Sequence, residues 1–156
     1  MDSEYFERKK QKAKEIYELQ RTIHSPYFKQ DIILNSDGFH HLQFSAQRER
    51  SKEEQLLKFM FLPVGIKIIK EAGTVQEYRK LLCPIGNRFS KNKSRVMKMV
   101  EWWGFIALYP EQDVMARVVV RRVGSGNLTF WSVMRYKKLG NGSKRQKAFF
   151  SGIEDD

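Results

Sequence analysis

The sequence predicts an α+β fold in which N-terminal helices pack on a twisted antiparallel sheet of about four strands. The first half of the chain spaces its apolar residues as helices do, and the second half contains β-branched and aromatic runs separated by turn residues. Helices followed by strands are typical of an α+β domain, because parallel α/β sheets alternate the two elements. A length of 156 residues with 41% hydrophobic residues indicates a single domain. We expect an N-terminal helix within residues 1–22 and the core of the domain within residues 32–156.

Three helical segments are expected in the first half. Residues 3–22 are rich in helix formers, and Pro26 disfavours helix continuation soon afterwards. Ser36 is placed to cap a helix that begins near Phe39. The third segment has a stripe of apolar residues at helical spacing, and Pro63 within it allows either two helices or one kinked helix. This stripe consists of Leu57, Met60, Phe61, Val64 and Ile68.

Strands are expected from residue 74 onward. Residues 74–78 alternate apolar and polar side chains, as a half-buried strand does. Residues 84–98 carry several Lys and Arg and no acidic residue, which is typical of an exposed basic loop. The segments 100–109, 116–123 and 128–136 are then predicted to form three consecutive antiparallel strands.

The hairpin formed by the last two strands is the most informative segment for function. Its turn has the sequence Gly-Ser-Gly-Asn, which favours a β-hairpin. A register that pairs Val123 with Leu128 separates the side chains into a core face and an open face. The predicted core face carries Val118, Val120, Trp131 and Val133. The predicted open face carries Arg117, Val119, Arg121, Phe130, Ser132, Met134 and Tyr136. Arginines beside aromatic rings suit a phosphate and a stacked base.

The charge of the chain indicates an anionic polymer as partner. Lys and Arg number 29 against 18 Asp and Glu, which gives a net charge of +11. Residues 114–153 contain nine Lys or Arg and no acidic residue, so the field near the predicted hairpin is positive. Nucleic acid is therefore the expected partner, and a merely solvated basic surface is the alternative.

Several classes of protein are not expected. The single cysteine, Cys83, excludes an intramolecular disulfide, and no zinc-ligand spacing is present. No apolar run approaches the roughly 20 residues of a membrane helix, and the charged N-terminal segment does not resemble a secretion signal. We expect a cytoplasmic protein without a membrane partner, a metal or another cofactor.

RNA can be cleaved without a metal when one group removes the 2′-hydroxyl proton, another protonates the leaving 5′-oxygen and cations stabilise the phosphorane. Histidine suits both proton transfers near neutral pH. His40 and His41 lie at the predicted start of a helix, where phosphate is also attracted, whereas His24 is a weaker candidate. Arg121 and Ser132 are the preferred partners of these histidines on the open face. Contacts to nucleic acid are expected from Arg48, Arg50, Arg88, Lys91, Arg117, Arg122, Phe130, Arg135 and Tyr136.

The segments IILNSDGFHHLQF, MARVVVRR, LTFWSVMRYKK and KAFFSGIEDD follow in an order that resembles a known ribonuclease superfamily. This is the phage-associated branch of the barnase, EndoU, colicin and RelE-like superfamily, and the resemblance covers about residues 32–156. It implies metal-independent cleavage of RNA by a toxin that an antitoxin or immunity protein controls. It also implies roles for His40 or His41, for Arg121 or Arg122, for Ser132, and for Lys147 as a phosphate contact.

Two other classes of function remain open at this stage. A non-catalytic module that binds RNA or DNA would use the same basic and aromatic sheet face without the histidines. A basic interaction protein would instead bind an acidic protein partner.

Overall fold

A computed structural model describes residues 2–85, 96–109, 113–138 and 153 of the chain. The described residues form three helices and one six-stranded sheet, so the predicted α+β class is confirmed. The helices are α1 (Ser3–Leu19), α2 (Ser36–Gln43) and α3 (Lys52–Glu71). The strands are β1 (Thr22–Ser25), β2 (Gln30–Ile33), β3 (Glu77–Ile85), β4 (Val96–Tyr109), β5 (Val114–Val123) and β6 (Thr129–Lys138).

The sheet has the strand order β1-β2-β6-β5-β4-β3. Strands β3 to β6 form an antiparallel meander, which confirms the three consecutive strands expected near the end of the chain. The prediction of about four strands was wrong, because the hairpin of β1 and β2 extends the sheet beyond β6. Strand β2 joins β6 in parallel through the pair Ile33 and Thr129. Four residues in each of β1 and β2 are too few for a clear alternating pattern.

The helices begin and end where the local sequence satisfies their backbone groups. The carboxylate of Asp2 accepts a hydrogen bond from the first turn of α1, and the side chain of Asn35, not Ser36, caps α2. A capping box of Ser51 and Glu54 starts α3, which continues through Pro63 as one helix. The alternative of two separate helices is therefore wrong.

Both faces of the central sheet are covered. On the face under the helices, apolar residues of β4, β5 and β6 pack against α1, α2 and α3 in one large core. On the opposite face, which we call the far face, Val100, Trp102, Val119 and Ile153 form a second, smaller buried cluster. The part of the far face beside this cluster, near Arg121 and Trp131, lines the cavities described below.

A β-bulge in β6 corrects the predicted faces of the hairpin. Val119 pairs with Ser132 as expected, but Val120 pairs with Phe130, so the register shifts at Trp131. Phe130 consequently lies fully buried in the core under the helices, and Trp131 contacts the cluster on the far face. The two aromatic residues thus exchange the faces that strict alternation assigns to them.

Glycine at position 38 permits a very close approach of α2 to β6. A Cβ atom at this position would lie 2.5 Å from the carbonyl oxygen of Phe130, where real side chains do not fit. Tyr17 also lies against this position, with its ring 3.6 Å from the same hypothetical Cβ. The approach fixes the height of α2 above the sheet, and hence the placement of the side chains that follow Gly38.

We predict that Gly38→Ala lowers the free energy of unfolding by about 1–3 kcal/mol, because the added methyl group must displace the helix from the strand. The matched control is Gly73→Ala, since a Cβ there meets no atom within 4 Å. That control should change the free energy by less than about 1 kcal/mol. Urea denaturation followed by circular dichroism measures both values, and equal stability of the two variants would contradict the close approach.

Candidate active site

A cavity of about 380 Å³ lies between α2 and the far face of the sheet. Its walls are contributed by α2, the segment that follows α2, and strands β4 to β6. The lining residues are Asp37, His40, His41, Phe44, Ser45, Ala46, Trp102, Arg121 and Trp131. The predicted arginine and both predicted histidines therefore meet in one place, although they are about 80 residues apart in the sequence.

Arg121 is the one arginine or lysine among the described residues that line this cavity. Its guanidinium carbon lies 4.1 Å from the centroid of the Trp131 ring, within the range of a cation–π interaction. The Nε–H group is buried and has no hydrogen-bond partner among the described residues. Burial lowers the pKa of Arg121, and the acidic groups of Cys83 and Asp37 partly oppose this effect. Arg121 is thus a partly desolvated cation, which an anionic ligand would stabilise.

A second buried donor belongs to Trp102. Its Nε1–H has no hydrogen-bond partner in the described part of the chain, and the side chain is only 5% exposed. A buried donor without an acceptor costs about 1–3 kcal/mol. Trp102 and Arg121 both line the cavity, but these two N–H groups are themselves inaccessible from it. Arg121 is only partly buried, so its positive charge, rather than either buried N–H group, is what an anionic ligand such as a phosphodiester would meet.

His41 is held by Arg50, which is buried here and does not lie on a surface that could make the contact with nucleic acid predicted for it. The Nη2 atom of Arg50 lies 3.2 Å from Nε2 of His41, and its Nε–H donates to the backbone carbonyl of His41 at 3.1 Å. Because a guanidinium only donates hydrogen bonds, Nε2 of His41 is the acceptor in this contact. The ring also stacks on Trp131 with 4.3 Å between centroids. This buried histidine is therefore held between Arg50 and the ring of Trp131.

His40 is the exposed histidine of the pair. Its ring stacks on Phe44 with 4.4 Å between centroids, which directs the imidazole along the cavity wall. Asp37 precedes His40 by three residues on α2, so both side chains lie on the same face of the helix. A carboxylate and an imidazole therefore border the cavity that contains Arg121. The structure separates the environments of the two histidines. The predicted position at the start of a helix was wrong, because α2 begins at Ser36 and both histidines lie in its last turn, away from the end that attracts phosphate.

A smaller cavity of about 220 Å³ adjoins the first. It shares Asp37, Arg121 and Trp131 with the larger one, and its other walls come from the segment before α2 and from the hairpin turn. These other lining residues are Asn35, Val123, Gly126, Asn127 and Thr129. Amide and hydroxyl groups thus border one side of Arg121, whereas aromatic rings border the other.

Several predicted residues do not reach the cleft. Ser132 is fully buried, and its hydroxyl accepts a hydrogen bond from Nζ of Lys58 at 2.7 Å. Because of the bulge, the cross-strand neighbour of Arg121 is Thr129 and not a residue nearer Ser132. The preferred pairing of Arg121 with Ser132 is therefore corrected.

Three more predicted residues of the open face are buried. Arg117 is 1% exposed, and its Nη1 lies 3.4 Å from Oε1 of Glu77 in an ion pair. Tyr136 lies beneath the Arg117 guanidinium, and Phe130 belongs to the core under the helices. These side chains stabilise the sheet and do not present a surface for nucleic acid.

The remaining predicted cations fall into three groups. Arg122 and Arg48 are engaged by carboxylates: Arg122 donates to Glu101 at 2.7 Å, and Arg48 donates to Glu54 at 3.2 Å. Arg135 is exposed and lies further along β6 than Trp131. The third group, Arg88, Lys91 and Lys147, lies outside the described residues.

Sequence reasoning missed three residues of the cleft. Asp37 was not considered, although its spacing of three from His40 on a helix was a visible signal. Trp131 was assigned to the core because alternation carries no information about a bulge. Trp102 lies in a run of β4 where aromatic residues occupy both faces, so the sequence did not distinguish it from Trp103.

Comparison of the chain with protein-family models, with curated proteins and with solved structures finds no match. None of the described helices has the length and apolar character needed to cross a membrane. The described residues also contain no group of three or more His, Cys, Asp or Glu side chains arranged to hold a metal ion.

We predict that Arg50→Met destabilises the protein by about 1–3 kcal/mol, because the buried carbonyl and Nε2 of His41 lose their donor. The control is Arg48→Met, which removes an exposed ion pair with Glu54 and should cost at most about 1 kcal/mol. Thermal and urea unfolding of both variants measure the difference. A cost for Arg48→Met equal to that for Arg50→Met would argue against the proposed clamp on His41.

Proposed function

We propose that the protein is a metal-independent endoribonuclease of the toxin type, with its active site in the cleft between α2 and the β5–β6 hairpin. The observation that carries the proposal is the cavity shared by Asp37, His40 and Arg121. A carboxylate, an imidazole and a partly desolvated guanidinium can supply the base, the acid and the charge stabilisation that transesterification of RNA requires. The net charge of +11 supports the attraction of RNA to the protein.

In the proposed reaction, the 2′-oxygen of a ribose attacks the adjacent phosphorus, and the bond from phosphorus to the 5′-oxygen breaks. Asp37 accepts the proton of the 2′-hydroxyl group. His40 donates a proton to the leaving 5′-oxygen, because an imidazole both holds and releases protons near neutral pH. Arg121 stabilises the negative charge that develops on the phosphorane oxygens. The products are a 2′,3′-cyclic phosphate end and a 5′-hydroxyl end.

The aromatic walls of the cleft support binding of a single strand rather than a duplex. Stacking of a base on an aromatic ring requires that the base be unpaired and turned outward. Trp131 is not available for this stacking, because Arg121 and His41 cover its two faces. Phe44, which is half-buried and lies next to His40, is the ring of the larger cavity placed to hold a base beside the phosphate.

We predict that the purified protein cleaves end-labelled single-stranded RNA in excess EDTA and leaves cyclic phosphate ends. His40→Ala should lower the cleavage rate by about 10²–10⁴-fold, because a proton donor is lost. Arg121→Ala should lower it by about 10²–10³-fold, because charge stabilisation is lost. Gel electrophoresis with end-group analysis measures rate and product together.

Two control variants keep this experiment specific. His24→Ala removes an exposed histidine of β1 that contacts Asp31, and Arg8→Ala removes an exposed cation of α1. Both variants should retain the parent rate, because neither residue lines the cleft. Cleavage that EDTA abolishes, or that survives unchanged in His40→Ala and Arg121→Ala, would refute the ribonuclease proposal.

Binding without cleavage is the second candidate function, and the stack of Arg121 on Trp131 favours it. Such a module needs the cation and the aromatic rings but not the imidazole. If the protein is such a binding module, RNA remains intact after incubation. Its affinity for RNA is then lost in Arg121→Ala and retained in His40→Ala. Measurement at several salt concentrations separates phosphate binding from binding of an acidic protein, because affinity for phosphates falls steeply with salt.

A further inference from the structure

We propose that the cleft holds two neighbouring nucleotides of one strand and reads the identity of only one base, through Asn127 and Thr129. This inference rests on the proposed function for the identity of the ligand as RNA. It goes further by assigning different tasks to the two adjoining cavities.

The common wall of the two cavities sets the position of the phosphate. Arg121 and Trp131 belong to both cavities, together with Asp37. A dinucleotide has a single phosphate between two bases, and the guanidinium of Arg121 is the group that attracts it. With the phosphate at Arg121, one base enters each cavity.

The larger cavity recognises a base without regard to its identity. The ring it offers for stacking is that of the half-buried Phe44, since Trp102 is buried and Arg121 and His41 cover the two faces of Trp131. Every base presents a π-face, so stacking contributes affinity but little discrimination. We therefore assign the sequence-tolerant position of the strand to this cavity.

The smaller cavity has the groups that discriminate between bases. Asn127 is exposed in the turn between β5 and β6, and its amide carries both a donor and an acceptor. Thr129 begins β6 beside Arg121 and adds a hydroxyl group. A side-chain amide pairs with a base edge through two hydrogen bonds, which a base with a different donor and acceptor pattern cannot form.

Asn35 also lines the smaller cavity but is less suited to hydrogen-bond the base there. Its side-chain oxygen accepts the hydrogen bond from the backbone N–H of Gly38 at 2.9 Å, so it is committed to capping α2. The amide of Asn127 lies on the connection between β5 and β6, two residues before the strand that carries Trp131. Substitution of Asn127 therefore tests recognition without disturbing the helix that carries His40.

The test uses short 2′-O-methyl RNA strands, which cannot undergo attack by the 2′-oxygen. Each strand carries two neighbouring bases between abasic positions, and the set covers all base combinations. Fluorescence anisotropy of an end label measures the affinity of the full-length protein for each strand. We expect affinity to vary by about tenfold with the base at one position and to be nearly constant at the other.

Asn127→Ala and Thr129→Val should each reduce the variation of affinity with base identity. In Asn127→Ala the affinities for all strands should agree within about twofold. Ser125→Ala is the matched control in the same turn, since Ser125 lines neither cavity, and it should retain the parent preference. Equal affinity for all strands, a preference at both positions, or a preference unchanged in Asn127→Ala overturns the inference.

These outcomes are independent of cleavage. If the protein cleaves RNA but shows no base preference that depends on Asn127, the proposed function stands and the assignment of the two cavities is wrong. If the base preference depends on Asn127 but ordinary RNA is not cleaved, the assignment of the two cavities stands and the ribonuclease proposal is wrong. Absence of binding to every strand overturns the inference.

Discussion

The candidate site depends on the contact between α2 and the backbone of β6 at Gly38. Protein interiors are packed so densely that the absence of one methyl group decides how closely two elements approach. At Gly38 that space is occupied by the carbonyl oxygen of Phe130. The helix therefore lies low enough for His41 to stack on Trp131. The same placement puts His40 at the mouth of the cavity, so a packing constraint in the fold orients the proposed chemistry.

The bulge in β6 is the second determinant of the cleft. Without the extra residue at Trp131, regular alternation would place Phe130 beside Arg121. With the bulge, the indole ring has contacts of two kinds, with a guanidinium from β5 and with an imidazole from α2. Trp131 thereby connects the helical layer to the sheet. A local irregularity of one residue thus assembles groups that three separate elements supply, which agrees with the tendency of bulges to lie next to functional sites.

The class of fold and part of the candidate site could be predicted from the sequence. The features that could not be predicted depend on contacts or on short segments that a sequence pattern does not show. The presence of a helix at α3 was predictable, because many residues repeat a helical pattern. Its buried face was not: Leu57 and Met60 of the predicted stripe are exposed, whereas Leu62 is fully buried. The strands β1 and β2 were not predictable, since four residues are too few to show a period. The place of β2 in the sheet also depends on β6, which is distant in the sequence. Arg121 and His40 were identified from charge and residue type. The burial of Arg117 and Ser132 could not be predicted from the sequence. Arg117 pairs with Glu77 and Ser132 bonds to Lys58, and only folding brings these residues together.

The distribution of tryptophan gives the protein an intrinsic optical signal. Of the three tryptophans in the chain, Trp102 and Trp131 line the cleft. Trp103 instead packs under the helices beside Phe28. Indole emission responds to charge and polarity next to the ring, so filling of the cleft should alter two of the three emitters and leave the third as an internal reference. Occupancy of the site is therefore readable in the unmodified protein, without a dye or a tag.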